Sequence, residues 1–458
     1  MKHFEANSPH ARDIATLIHP NTNIRKHQEM GPTIISRGEG IYVFDDSGRP
    51  FLDAAAGLWC ASLGFSSDRL AKVASDAIKK LGYYHLYRHT SNEASIDLAE
   101  KLIALAPVPM SKVLLQCSGS EANDTAIKLV WYHWNAVGKP EKRKIIGRLG
   151  AYHGSSVAAI SIAGKPEFHA GFGLPLPGFL HTDFPHYYRM RQDGETEQQF
   201  SSRMAQSLED LILAEGPETV AAFWAEPVMG AGGAILPPAG YFEKIQAVLR
   251  RYDILFVADE VICGFGRTGN MWGSQTYDLQ PDMISCAKAL SAAFQPISAV
   301  LINQRICDSM LLQADQQGSF FHGYTYAGHP VAAAVALEVL KIYDEIDIVE
   351  HVRRVGPVLQ EVVGELADHP LVGNYSGVGL IGGLDLVKDK ATRDMYPPDA
   401  GLAAKLEANA QRHGLVLRLV RNRIALSPPL VITESEIQEM GERLRSTLDD
   451  TWNELKSY

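Results

Sequence analysis

Phe256-Val257-Ala258-Asp259-Glu260-Val261-Ile262-Cys263-Gly264-Phe265-Gly266-Arg267-Thr268-Gly269 is an apolar run that closes on an acid and passes into a glycine-rich turn. The run that leads into it, Ile254 to Ala258, belongs to a series with Val113 to Gln116, Lys144 to Ile146, Val220 to Trp224, Met283 to Cys286 and Ile297 to Ile302. Most of these runs lack polar alternation, as strands do when a parallel sheet is covered on both faces. Periodic segments such as Glu121 to Asn135 and Tyr241 to Tyr252 stand between them and read as helices. The rhythm predicts an α/β fold with a mostly parallel central sheet, and such sheets place ligands at the carboxyl ends of their strands.

Beyond Pro330 the pattern changes. Val331, Val335, Val339 and Ile342 mark one helical face, and Val352, Val355, Leu359, Val362 and Leu366 mark another. A strand is expected at Leu380 to Leu386. The last helix opens on the capping box Thr433-Glu434-Ser435-Glu436 and presents Ile437, Met440, Leu444, Leu448 and Leu455 on one side. This part reads as a separate, smaller α/β unit. Gly178 to Gln199 reads as a solvated surface connection, and there is no internal repeat or low-complexity tract.

A chain of 458 residues, 46% hydrophobic, can bury a large core and divide into two or three domains. Its net charge of -10 and lack of a basic run argue against a nucleic-acid partner. Met1 to Pro20 has no apolar core, and no later stretch approaches the roughly eighteen apolar residues of a membrane span. A soluble, cytoplasmic protein is expected. Cys60, Cys117, Cys263, Cys286 and Cys307 form no CxxC pair, and three of the five are read as lying in strand-like runs. Buried reduced thiols are expected, with neither disulfides nor a bound metal.

Two residues carry the chemistry. Asp259 closes its strand, and Lys288 follows the next strand in the almost charge-free stretch Met283 to Val300, where a bare ammonium is costly to bury. An acid for a ring nitrogen and an amine for an aldehyde are what pyridoxal 5'-phosphate requires. In isolation, Asp259 also fits a salt-bridge or cap residue, and Lys288 a lysine that reaches solvent. Val261, two residues on from Asp259, points to the same side and suits either a cofactor face or the core. Cys117-Ser118-Gly119-Ser120-Glu121-Ala122-Asn123 leads from a strand into a helix, so that Gly119, the free helix N–H groups and the Ser120 hydroxyl can face a phosphate. The same segment also reads as an ordinary cap, because Ser118 and Glu121 have capping-box spacing.

The stretch Asp259 to Gly269, with Pro281-Asp282-Met283-Ile284-Ser285-Cys286-Ala287-Lys288-Ala289-Leu290-Ser291 and His322-Gly323-Tyr324-Thr325-Tyr326-Ala327-Gly328-His329-Pro330, resembles the class III aminotransferases. Gly57-Leu58-Trp59-Cys60 and Ser427-Pro428-Pro429-Leu430 are most similar to omega-amino acid and amine:pyruvate transaminases, and the resemblance runs from Ile34 to the C-terminus. It implies a fold-type I pyridoxal-phosphate transferase in which a large domain, residues 61–330, is accompanied by a small one built from 331–458 with 1–60. It further implies a homodimer with shared active sites, Thr325 reaching the phosphate of the neighbouring subunit.

By the same resemblance, Tyr152 stacks on the cofactor opposite Val261, and Glu226 lies near it in a role left open. Trp59, Tyr87 and Ala231 would line the substrate pocket. Arg418, in the run Leu415 to Val420, would grip a keto-acid carboxylate and swing aside for an uncharged amine, with Arg421 and Arg423 as competitors. Two departures stand out. Ala289, Ala292 and Ala293 occupy positions where relatives carry Gly and Ser-Gly, and Ile262 replaces the Gln of ornithine and γ-aminobutyrate enzymes, which argues against those substrates. The expected reaction moves an amino group from an amine donor to a keto-acid acceptor such as pyruvate. A decarboxylase, racemase or aminomutase on the same scaffold, and a non-catalytic cofactor-binding protein, remain the alternatives.

Overall fold

In the computed structural model, which describes residues 4–456, seven strands form a central sheet. Across the sheet they are Lys112–Gln116, Ser298–Ile302, Met283–Cys286, Leu255–Asp259, Val220–Ala225, Lys144–Arg148 and Phe179–Thr182. The last five run parallel. Ser298–Ile302 is antiparallel to both its neighbours.

Helices cover both faces, which explains the continuous apolar runs. On one face Ile127, Val130 and Trp134 of helix Gly119–Ala136 pack with Ile145, Trp224 and Val257. On the other, Leu208 of helix Glu197–Glu215 and Ile245 and Leu249 of helix Tyr241–Arg251 pack with Ile146, Phe223 and Phe256. Alternate residues of one strand thus enter opposite layers of the core.

The segment Gly178 to Gln199 is not the solvated connection expected. Phe179–Thr182 pairs in parallel with Lys144–Arg148, and Phe179, Thr182 and His186 are buried. Four residues including a histidine, set between Gly178 and Pro185, offer too short an apolar signal to read as an edge strand.

Helices Pro330–Glu345 and Ile348–Gly364 bury Val331, Val335, Val339, Val352, Val355 and Leu359, with Ile342 and Val362 partly covered. Val372–Val378, Ile381–Leu386, Arg423–Leu426 and Arg418–Val420 form an antiparallel sheet in that order. The final helix Glu434–Leu455 begins at the expected capping box. Thr433 Oγ1 accepts the Glu436 N–H at 3.3 Å and Glu436 Oε2 accepts the Thr433 N–H at 2.8 Å, worth about 1 kcal/mol of helix stability.

Near the other end of the chain, Ile35–Glu39, Tyr42–Asp45 and Pro50–Asp53 form a third sheet, completed in parallel by Leu415–Val416. Before it, Asp13 holds two histidine rings, His19 Nε2 and His27 Nε2 each lying 2.9 Å from its carboxylate. Of the stretch Met1 to Pro20, residues 1–3 lie outside those described. The five cysteines are unpaired. Cys286 alone lies in a strand, Cys307 being helical and Cys263 in the turn after Asp259, so fewer of them sit in strands than expected. No helix among the described residues is long and apolar enough to cross a membrane.

Candidate active site

Asp259 and Lys288 stand at the carboxyl ends of adjacent parallel strands. Asp259 pairs in register with Ser285, and the chain then leaves Cys286 and turns sharply, with Lys288 at φ 49°. The Asp259 carboxylate is buried and receives three donors: Asn123 Nδ2 and His153 Nδ1, each at 2.8 Å on Oδ2, and the Val261 N–H at 3.1 Å on Oδ1. Together they offset its desolvation. The contact assigns the proton of His153 to Nδ1, while its buried Nε2 has no partner among the described residues. Lys288 Nζ has neither a hydrogen bond nor an ion pair among those residues and lies 5.5 Å from the centre of the Trp59 ring. Burial pushes its pKa down, the Asp259 charge acting in the opposite sense. A lysine so placed is a nucleophile.

Ser118 does cap helix Gly119–Ala136, its Oγ accepting the Glu121 N–H at 3.2 Å. Glu121 reaches back one residue further than a capping box requires and accepts the Cys117 N–H at 2.8 Å. Gly119 and Ser120 are thereby left on the inner side, where Ser120 Oγ accepts the Ser155 N–H at 2.9 Å. Two glycines allow the close approach here. A Cβ on Gly119 would come within 3.1 Å of both Val261 methyls, and one on Gly154, at φ 140°, within 2.8 Å of the Ser120 backbone.

Gly119, Ser120, Tyr152, Glu226, Asp259, Val261, Ile262 and Lys288 line one cavity. Glu226, whose role the sequence left open, ties two of its walls together. Its carboxylate is buried and accepts the Tyr152 N–H at 3.2 Å and the Gly230 N–H at 2.9 Å. Burial raises its pKa.

A second cavity adjoins the first, with Lys288 and Tyr152 common to both. Trp59, Ala231 and Arg418 line it, with Lys165, Phe168 and the segment Pro20, Asn21 and Thr22. Arg418 has no carboxylate partner among the described residues. Its guanidinium instead lies over Trp59, Cζ 4.9 Å from the ring centre, where the ring face offsets part of the charge. The competitors are occupied. Arg421 is exposed and pairs with Glu167 at 3.7 Å. Arg423 is buried in an ion pair with Asp385 and donates at 2.7 Å to Gly233 O and to Ser376 Oγ.

Tyr87 and Thr325 do not reach either cavity of their own chain. Both are exposed: the Tyr87 hydroxyl lies against Gly323, and the Tyr83 hydroxyl donates to Thr325 O at 2.8 Å. Asn123 and His153 went unassigned from sequence. Asn123 stands four residues after Gly119, one turn along the helix, and His153 follows Tyr152, so both lay inside motifs whose other members had been given roles.

A buried, donor-rich carboxylate beside an unpartnered lysine, at the ends of adjacent parallel strands, defines a fold-type I pyridoxal-phosphate enzyme. The model of the family described as aminotransferase class-III matches residues 24–448. The crystal structure of the omega transaminase from Pseudomonas jessenii in complex with PMP shares 52% identity, with a TM-score of 0.96 over 97% of this chain and 98% of that one. A transaminase solved with L-Ala shares 50% identity, with a TM-score of 0.90 over 92% of this chain and 100% of its own. The chloroplastic gamma aminobutyrate transaminase 3 of Solanum lycopersicum is 48% identical over 433 residues, 94% of this chain and 83% of the relative. The chain belongs to the class III aminotransferases, and it is an enzyme of that family with pyridoxal 5'-phosphate as cofactor. The tomato relative bears the name of a substrate that Ile262 was read against, so this residue alone does not decide the donor.

Proposed function

We propose that the protein transfers an amino group from an ω-amino acid or primary amine to a keto acid, with pyruvate as the acceptor, in two half-reactions at one site. The observation that carries this reading is the placement of Arg418: a cation without a carboxylate partner among the described residues, in the cavity that also holds Lys288, both of them close to the Trp59 ring. Such an arginine suits bidentate capture of a keto-acid carboxylate. The solved transaminase with L-Ala is in keeping with alanine as the product of pyruvate.

The residues present suit the cofactor, since the glycine cradle, the buried acid and the free amine line a single cavity. When bound, pyridoxal 5'-phosphate supplies an aldehyde that carries the amino group and a ring that takes up the electron pair released at the substrate carbon. Asp259, held by Asn123 and His153, would stand against the ring nitrogen. Gly119 and Ser120 would receive the phosphate, Val261 and Tyr152 would lie beside the ring, and Glu226 holds the Tyr152 backbone. Lys288 would hold the aldehyde and, once displaced, would move the proton at the substrate carbon. Trp59 and Ala231 shape the space for the substrate side chain.

Tyr87 and Thr325 act in the site of a second copy, and the working form is a homodimer. In support, Thr325 lies beside exposed Tyr83 and Tyr326, whose rings meet edge to face at 5.7 Å, exposed aromatic surface of the kind that marks an interface. Residues 1–60 join 331–458 in one small domain beside 61–330, a division supported by the pairing of Leu52 with Leu415. The unpaired cysteines suit a reducing compartment, and the cytoplasm is the proposed location.

The test is to add an amine to the holoenzyme without a keto acid. One equivalent of carbonyl product per site, a matching change in cofactor absorbance, and its reversal by pyruvate with release of alanine are expected. Release of carbon dioxide, or a racemised or isomerised donor, would point to the decarboxylase, racemase or aminomutase instead.

A further inference from the structure

Lys165 is the cation of the substrate cavity that the mechanism does not use. It follows Gly164, is only 7% exposed, and lines the same cavity as Arg418, Trp59 and Lys288. Of its three N–H donors, one is placed: Nζ donates to Ala231 O at 2.7 Å, and Nζ lies 5.5 Å from the centre of the Phe168 ring. No carboxylate stands within ion-pair distance of it among the described residues. Glu167, on the same wall, is paired by Arg421, and Glu226 gives its carboxylate to the Tyr152 and Gly230 N–H groups. Burial pushes the Lys165 pKa down, the fields of Glu167 and Glu226 acting against it.

A buried ammonium with donors unused and no ion-pair partner is costly unless an anion arrives with the ligand. The cavity therefore offers two separate anion-receptive points, Arg418 beside Trp59 and Lys165 beside Ala231 and Phe168, in addition to the amine of Lys288. An ω-amino acid and a keto acid place their carboxylates at different distances from the reacting carbon, which two cations at separate points of the wall suit.

We propose that Lys165 is the subsite for the distal carboxylate of an ω-amino acid donor, leaving Arg418 to take the carboxylate of the keto acid. This rests on the transamination proposed above and narrows its donor class to ω-amino carboxylates.

The experiment compares 4-aminobutyrate with butylamine, a four-carbon amine lacking the carboxylate, as donors to the holoenzyme in the first half-reaction, followed by cofactor absorbance with no keto acid present. In Lys165→Met the ratio of the two rate constants, 4-aminobutyrate over butylamine, should fall on the order of ten- to a hundred-fold, the range for loss of one charged hydrogen-bonding partner. Lys165→Arg should restore most of it. An equal loss with both donors would reduce Lys165 to a tether for the Ala231 loop and overturn the proposal, as would an unchanged ratio or a wild-type enzyme inert to 4-aminobutyrate. Pyruvate plays no part in this measurement, so a wrong acceptor would show only in the second half-reaction. If neither donor reacts, both readings fall.

Discussion

The guanidinium of Arg418 lies over the ring of Trp59, 4.9 Å from its centre. A stacked cation is free to leave, whereas an ion-paired one would have to break a salt bridge each time the substrate changed from keto acid to apolar amine. Arg418→Ala should weaken pyruvate and alanine by about 2 to 5 kcal/mol, the cost of truncating one partner of a desolvated charge pair. The loss with a carboxylate-free amine should be far smaller. Half-reactions measured separately decide it, and equal losses on both sides would make Arg418 structural.

Lys288 is the lysine that reaches the cavity beside Asp259. Lys288→Ala should abolish both turnover and the visible absorbance of the protein-bound cofactor. Persistence of that band after reconstitution and gel filtration would move the assignment to another amine.

Asp259→Asn keeps the shape but replaces a carboxylate by a neutral amide against the donors of Asn123 and His153. The half-reaction with an amine should slow by roughly a hundred- to a thousand-fold, as when one preorganised electrostatic partner is removed, while the cofactor stays bound. Near-normal single-turnover rates would show that the acid does not act on the ring.

Gly119 and Gly154 separate two degrees of close approach. Gly119→Ala meets only the ends of a valine side chain, whereas Gly154→Ala meets the Ser120 backbone from a left-handed φ. Cofactor affinity, titrated by absorbance, should fall modestly in the first and severely in the second. The reverse order would contradict the cradle.

His133, on the helix that begins at Gly119, is buried against Ser309 Oγ at 2.9 Å, and burial with the nearby Arg305 charge pushes its pKa down to about 4. Its folded pKa lies below the unfolded value of about 6.5, so folding favours the neutral ring. The stability it allows is present above pH 6.5 and is lost as the pH falls toward 4, because the unfolded chain takes up a proton that the folded one refuses. Urea midpoints of wild type and His133→Gln, measured at pH 7 and pH 5, should converge at the lower pH. Parallel slopes would mean the ring titrates normally.

The six central-sheet strands read from the sequence all exist, because burial on both faces leaves unbroken apolar runs that no helix of that length would need. Phe179–Thr182 escaped because its four residues include a histidine and follow a glycine, too short an apolar signal to stand out. Asp259, Lys288 and Gly119 were legible as motifs, and they do share one cavity. What motifs could not supply was the wiring across the fold: that Asn123 and His153 both reach Asp259 from elements far apart in the chain, that Glu226 spends its carboxylate on two backbone N–H groups, or that Arg423 is tied to Asp385. Tyr87 and Thr325 were assigned by resemblance, and their place on the outer surface depends on tertiary packing that local sequence does not record.

The cofactor cavity draws all its lining residues from 119 to 288, while the substrate cavity takes Pro20, Asn21, Thr22 and Trp59 from the beginning of the chain and Arg418 from near its end. On a ribosome the two would mature at different times. The central sheet has all its strands once Ile302 has been made, and at 5–20 residues per second a further ~6–23 seconds pass before Arg418 is added. A nascent chain can thus hold a formed cradle while the adjoining chamber still lacks a wall, and Arg418, proposed to take the keto-acid carboxylate, is among the last parts to arrive.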